Sequence, residues 1–307
     1  MDEARPEAEA VAVRGERIVA VGSVAEVAAH RGPRTEVIEA GGATLLPGFF
    51  ESHCHLFLGG SELGHLPLEG VTGFEAVARA VRAFAAGRPD EAVLAAQGAE
   101  YGMFGPPPTR HDLDRILPDR PLVLMSGSHH TAWANTAALR AAGLLGGADL
   151  PPGAEVVMGA DGLATGELRE PPAFNPVMDL AGGARASLGL TTGGEPDPAP
   201  TPAERAADRE VLARAAQHLA ALGITSAVNM DGNLYTLELL RELDEAGRLP
   251  LRVKVAFHFK PFMDLAMLDK AEAMAQAWQG DRLTAGLVKM FMDGVLDGET
   301  AVTLEDY

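Results

Sequence analysis

"LLPGFFESHCHLFLGG", residues 45–60, is the stretch on which the reading of this sequence turns. An apolar run enters Pro47-Gly48, passes two phenylalanines and closes on His53-Cys54-His55. Such a run, broken by Pro-Gly and ending in polar residues, predicts a buried strand that stops at the histidines. Residues i and i+2 of a strand share a side, so His53 and His55 face one way and Cys54 the other. Two imidazoles at a strand's C-terminal end suit a divalent metal such as zinc. That end is also where α/β sheets and barrels build their sites. The same spacing equally describes two half-exposed histidines beside a turn, and spacing alone leaves both readings open. Cys54 is expected in the core as a small buried thiol.

Working outward, "AEAVAVRGERIVAVGS" (residues 8–23) alternates and turns at Arg14-Gly15, which predicts a β-hairpin. "TEVIEAGGATLLPGFF" (35–50) predicts a further short strand, a Gly-Gly turn and an apolar strand, so residues 1–47 are expected to form a small antiparallel sheet. Helical spacing covers Phe74 to Ala86, and a strand is expected within 91–102. A short helix ending near Pro118 and a strand from Leu122 to Met125 follow. "TAWANTAALRAAGL" (131–144) predicts a helix with Gly143 placed to cap it. Residues 146–202 are rich in Gly, Pro and Ala and predict loop, with "TTGGEPDPAPTP" (191–202) its most mobile part. The rhythm then becomes regular. Helices over 202–222, 234–246 and 264–278 alternate with the apolar strands "ITSAVNM", "LRVKVAF" and "GLVKMFM". Strands separated by helices of this length mean βαβ units and a parallel sheet, hence an α/β protein.

Composition narrows the function. The 307 residues are 47% hydrophobic, enough for a large packed core. A net charge of −18 repels phosphate backbones and anionic lipid, which argues against nucleic acid and membrane partners. One cysteine excludes an internal disulfide and fits a reducing compartment. The acidic start "MDEARPEAEA" has neither a basic segment nor an apolar one, so no secretory signal is read there and a cytoplasmic location is expected.

Four segments in order resemble the amidohydrolase superfamily, in its YtcJ-like branch that includes N-substituted formamide deformylases. The opening stretch resembles that superfamily's strand ending Pro-Gly…Asp/Glu-x-His-x-His. "LVLMSGSHHTAWANTAAL", "DGLATGELRE" and "VKMFMDGVLDGETA" resemble three later segments of the branch. The resemblance implies a (β/α)8 TIM-barrel-type metal-dependent hydrolase beside a small β-sandwich. Residues 44–53, 223–229, 250–257 and 286–292 would then be barrel strands one to four. Residues 1–47 would be a partial sandwich, and 48–307 a partial barrel with a long insertion at about 56–200 that covers the barrel mouth. The implied activity is hydrolysis of carbon–nitrogen bonds other than peptide bonds in a small amide, formamide or cyclic amide.

The resemblance also implies site residues. His53 and His55 would hold a divalent metal, zinc first among candidates, as one or two ions. Lys289 matches the lysine that many relatives carboxylate to bridge two metals. The alternative is a lysine reaching from the strand end to solvent. Glu170 would be a ligand or a carboxylate that orients the substrate, with Glu167 its competitor, and His130 would hydrogen-bond the substrate, while His129 has no counterpart. Trp133 and Asn135 would line or support the pocket, Asp293 would hold a loop, and His258 would be core or a supporting residue. Strands five, six and eight of the family supply two more histidines and an aspartate, which this sequence does not reach. The expectation is therefore an incomplete barrel of about four strands, inactive by itself. The competing readings are a non-catalytic fragment or pseudoenzyme that binds a ligand or partner, and an unrelated metal-binding α/β module. Oligomeric state is not legible.

Overall fold

The computed structural model describes residues 3, 6–181, 194–261, 263–294, 296 and 301–305. The chain divides into two compact units, Met1–Pro47 and Gly48–Tyr307.

In the first unit, β1 (Ala10–Arg14) and β2 (Arg17–Gly22) pair antiparallel around Gly15, which takes the φ of +61° that the turn needs. Helix α1 (Val24–Ala28) follows, opened by a capping box of Ser23 and Glu26. The strands expected within 35–47 do not form. Val37, Ile38, Leu45 and Leu46 are exposed and no neighbouring strand pairs with them, so their β-forming composition has no ladder to join.

The second unit holds two sheets. One is all-parallel and runs β12-β11-β10-β3, from β3 (Phe49–Cys54), β10 (Ile224–Asn229), β11 (Arg252–His258) and β12 (Leu283–Lys289). Helices α7 (Pro202–Ala221), α8 (Leu234–Glu245) and α9 (Met267–Ala277) connect these strands. Thr201 and Glu204 close a capping box at the start of α7 with Pro202 in the first turn, as the sequence predicts. Leu212 and Ala216 of α7, Leu237 and Leu240 of α8, and Met274 of α9 pack on Ala227, Val253, Val255, Phe257 and Ala285 of the sheet. Strand alternation therefore gives one face of β11 to the helices and leaves Lys254, Ala256 and His258 on the other.

Strand β12 is expected over 286–292 but pairs from Leu283 to Lys289. Gly286, at φ +107°, sits in a bulge, because the register against β11 moves from Val253↔Leu283 to Ala256↔Leu287. The extra residue reverses the parity of everything after it. Lys289 thereby pairs with His258 and shares its face, where an unbroken strand would turn it to the helices. Beyond Lys289 the apolar run finds no partner strand, and Met290, Phe291 and Met292 are exposed.

The other sheet is mixed and runs β4-β5-β6-β7-β9-β8. Its strands are β4 (Leu66–Pro67), β5 (Leu94–Ala99), β6 (Leu122–Ser126), β7 (Thr131–Ala134), β8 (Glu155–Met158) and β9 (Ala164–Arg169). Around it lie α3 (Phe74–Ala86), α4 (Arg110–Ile116), α5 (Thr136–Ala141) and α6 (Pro171–Leu180), while α2 (Leu56–Glu62) joins β3 to β4. Two expectations change here. Thr131–Ala134 is strand rather than helix, because Asn135 is the cap that starts α5. Residues 146–202, expected as loop, contain β8, β9 and α6. The Gly-rich composition marks the turns at Gly147, Gly153 and Gly162 rather than the absence of structure. Part of the predicted loop 191–202 lies outside the described residues.

Asn135 ties this lobe together. It is fully buried, accepts from the N–H of Leu122 (3.0 Å) and Ala138 (2.8 Å), and donates to the carbonyls of Leu117 (2.8 Å) and Arg120 (2.7 Å). All four of its hydrogen-bonding positions are used, so truncation strands buried backbone groups on three segments. Asn135→Ala is expected to destabilise the protein by about 3 kcal/mol, seen as a lower urea midpoint of unfolding.

Candidate metal centre

The C-terminal ends of the four parallel strands put polar side chains together. His53 is the penultimate residue of β3 and His55 directly follows the strand, with ring centroids 5.5 Å apart and planes tilted by 57°. Cys54 packs with the helix-side core, donates its thiol to Val228 O (3.4 Å), and burial pushes its pKa up to about 12. It is unsuited to a thiolate role. His55 Nδ1 lies 2.7 Å from Asp231 Oδ1, just past the end of β10. His258, the last residue of β11, has Nδ1 3.9 Å from the same oxygen. Lys289, the last residue of β12, lies with its ammonium 4.9 Å from the Phe291 ring, and Lys260 approaches that ring at 4.7 Å.

The segment Asn229–Asn233 sets this arrangement. Asn229 is fully buried, accepts from the N–H of Leu56 (2.9 Å) at the start of α2, and donates to the carbonyl of Asp231. Gly232 passes so close to β11 that a Cβ would stand 2.1 Å from Ala256 O, and its carbonyl accepts from the N–H of His258 (3.1 Å). Asn233 caps α8 by accepting from the N–H of Thr236 (2.9 Å). The aspartate is thus fixed by its neighbours on both sides.

The electrostatics favour the neutral form of His53 and His258, the form of an imidazole that binds metal. Burial, then the charges of Lys289 and His55, lower the pKa of His53. Burial, with Lys260, His55 and Lys289, pushes His258 down to about 3. Burial also lowers Lys260, against the pull of Asp231. Asp231 Oδ2 and both ring nitrogens of His258 are buried without a hydrogen-bond partner. Orphaned buried polar atoms beside the His53 and His55 rings fit a site for a cation or a polar ligand. No three His, Cys, Asp or Glu side chains converge on one metal position among the described residues.

The mixed-sheet lobe contributes two more histidine–carboxylate contacts. His130 Nδ1 is 2.9 Å from Glu170 Oε2, and the N–H of Glu170 donates to His130 O (2.8 Å). Glu170 (φ +65°) and His129 (φ +60°) are the two non-glycine residues with left-handed backbone among those described. Such strain is held where the surroundings dictate it and concentrates at functional sites. His129 Nδ1 lies 3.5 Å from Glu62 Oε1, and the charge of His55 is felt at His129. Glu167, the competitor of Glu170, is committed to the sheet, accepting from Arg169 Nε (2.7 Å) and Tyr101 Oη (2.9 Å). Trp133 is wholly core, edge-on to Tyr101 at 5.0 Å. Asp293 accepts from the N–H of Val302 (3.1 Å) and so ties its own loop. Val295 and residues 297–300 of the "MDGVLDGETA" stretch lie outside the described residues.

Sequence reasoning singled out His53, His55, Lys289, His130 and Glu170, missed Asp231 and Lys260, and set His258 aside. "NMDGN" directly after a buried strand was the available signal, since polar and glycine residues at that end bend the chain over the sheet.

Comparison with known proteins agrees with this architecture. The amidohydrolase family profile matches residues 36–307. The chain belongs to the amidohydrolase family. The Bacillus subtilis protein YtcJ is 29% identical over 282 residues, covering 90% of this chain and 48% of its own. An N-substituted formamide deformylase of Arthrobacter pascens is 28% identical over 295 residues, 93% of this chain and 51% of the relative. A solved metal-dependent hydrolase of Pyrococcus furiosus, itself uncharacterized, superposes with a TM-score of 0.54 at 25% identity, covering 94% of this chain and 53% of that one. The chain spans about half the length of the curated relatives it matches. No described helix is long and apolar enough to cross a membrane.

The Glu62–His129 contact is one between neutral groups. Burial, with repulsion from Glu69, pushes Glu62 up to about 8, and burial lowers His129. The folded protein holds the Glu62 proton more tightly than the unfolded chain, whose carboxyl titrates near 4.5. Its contribution to stability is full below that value and is lost as pH rises toward about 8. Thermal melts of wild type and Glu62→Gln are expected to run parallel near pH 4. By pH 8.5 the wild type should have lost several degrees relative to the variant.

Proposed function

We propose that this chain contributes part of a metal-dependent hydrolase of carbon–nitrogen bonds other than peptide bonds, one that acts on a small amide, formamide or cyclic amide. The observation that carries this reading is the meeting of His53, His55, Asp231, His258 and Lys289 at the ends of four adjacent parallel strands. The formamide deformylase among the relatives supports the substrate class. Zinc is the metal we assign, as one or two ions that His53 and His55 would hold, and a carboxylated Lys289 would supply a further ligand. A bound metal supplies acidification of water toward a pKa of ~7 and polarisation of the amide carbonyl.

The chain's own residues orient the substrate. Glu170 holds Nδ1 of His130, which leaves Nε2 for a hydrogen bond to the amide. In the overall reaction, a water oxygen bonds to the carbonyl carbon, the C–N bond breaks, and the departing nitrogen takes a proton. We read β3, β10, β11 and β12 as strands one to four of a (β/α)8 barrel. Residues 1–47 then belong to a small β-sandwich, and about 56–200 is an insertion at the barrel mouth. The coverage of the Pyrococcus furiosus structure supports this assignment. The single, half-buried cysteine and the acidic composition support a cytoplasmic protein without nucleic acid or membrane partners.

Because no third ligand converges among the described residues, the 307-residue chain by itself is expected to bind metal weakly and to turn over no substrate. The same observation supports the second reading, a non-catalytic ligand- or partner-binding module. Zinc titration of the chain separates the roles. His53→Ala and His55→Ala should each weaken binding by more than ~100-fold, beyond the ~10- to 100-fold cost of losing an outer partner. His130→Ala should leave zinc affinity unchanged. Amide hydrolysis by the zinc-loaded 307-residue chain would overturn the expectation of inactivity. Undiminished zinc binding after both histidine substitutions would overturn the metal assignment.

A further inference from the structure

We infer that Asp231 is the positioning residue of the site, which holds the Nδ1 proton of His55 and so turns the bare Nε2 of that ring to the metal. The inference rests on the metal-binding reading of His53 and His55. It is carried by geometry that no relative's name supplies. Asp231 is almost fully buried, its Oδ1 lies 2.7 Å from His55 Nδ1, and its Oδ2 has no partner. A carboxylate accepts only, so the proton between the two atoms belongs on Nδ1 and the lone pair is left on Nε2. Histidines that bind metals are oriented in this way by a carboxylate or carbonyl on the far nitrogen.

The burial of Asp231 also becomes intelligible. A desolvated carboxylate whose one short side-chain contact is the His55 ring is costly. A cation on the far nitrogen of the same ring makes the Nδ1 proton a stronger donor and offsets that cost. The support beneath Asp231 is equally specific. Asn229 holds its carbonyl, and Gly232 lets the loop lie against β11 where no side chain fits. His258 faces the same Oδ1 from the other side at 3.9 Å and fills the space into which the carboxylate would otherwise turn.

Two measurements on the full 307-residue chain test this. In the metal-free protein labelled with nitrogen-15 histidine, long-range proton–nitrogen correlation spectra near pH 8 report the tautomer of each imidazole. His55 is expected to carry its proton on Nδ1. In Asp231→Ala the proton should move to Nε2, the nitrogen that free imidazole side chains prefer. A carboxylate that merely neutralised Lys260 would leave that tautomer unmoved. Zinc affinity, read by competition with a chromophoric chelator, should fall by about 10- to 100-fold in the same variant. An Nε2-protonated His55 in the wild type overturns the inference, and this reading needs no variant to fold. A folded Asp231→Ala with wild-type zinc affinity overturns it as well. A wild-type chain that binds no zinc overturns the metal reading instead, while the tautomer still decides the role of Asp231.

Discussion

Parallel strand pairing is the constraint from which the site follows. A parallel neighbour can be reached only by a crossover, and here a helix covers one face of the sheet between each of the later strand pairs. That face becomes the apolar core of Ala227, Val253, Val255 and Phe257 with the leucines of α7 and α8. The opposite face and the strand ends are left to residues the core cannot accept. His53, Asp231, His258 and Lys289 gather at one end of the sheet because every strand runs the same way, with His258 and Lys289 directly in register. Parity is as strict as direction, and at β12 it is met by a device. The single extra residue at Ala285–Gly286 returns Lys289 to the face of His258 after the first half of the strand has served the core.

The mixed sheet solves a different problem. Strands β6, β7 and β9 are antiparallel neighbours, so their ends alternate and cannot gather side chains by direction alone. The lobe uses turns instead. The β6–β7 connection carries His129 and His130, and the end of β9 carries Glu170, with left-handed backbone at both places. The hydrogen bond from Glu170 N–H to His130 O ties the two turns, and the side-chain contact then follows from it. Next to these turns, Thr131 and Glu167 both meet the hydroxyl of Tyr101, whose ring packs edge-on to the buried Trp133.

How much was legible in the sequence depended on whether a signal was local. His53 and His55 were legible because strand alternation is a two-residue rule, and α7 because its cap and first-turn proline are adjacent in the chain. The strand Thr131–Ala134 was not, since alanine and tryptophan there take their conformation from β6 and β9, far along the chain. Residues 155–180 were hidden by glycines that serve the turns between their elements rather than the elements themselves. Asp231 reads in isolation as an ordinary turn residue, and only the approach of β3 shows that its carboxylate meets an imidazole. The bulge in β12 leaves a trace in sequence, Gly286, whose meaning depends on a register that one sequence does not carry.

His258 shows why burial and chemistry must be weighed together. A histidine at a strand end whose nitrogens met neighbouring carbonyls would be a satisfied core residue. This one is 1% exposed with both nitrogens unpartnered, lies near Lys260 and Lys289, and is held neutral. A leucine would fill the same volume without desolvating two polar atoms, so packing alone does not account for an imidazole. The compensation has to come from Asp231, whose oxygen stands 3.9 Å away, or from a group that enters the site. Either way the orphaned nitrogens of His258 lie beside the carboxylate of Asp231, at the end where the four parallel strands stop together.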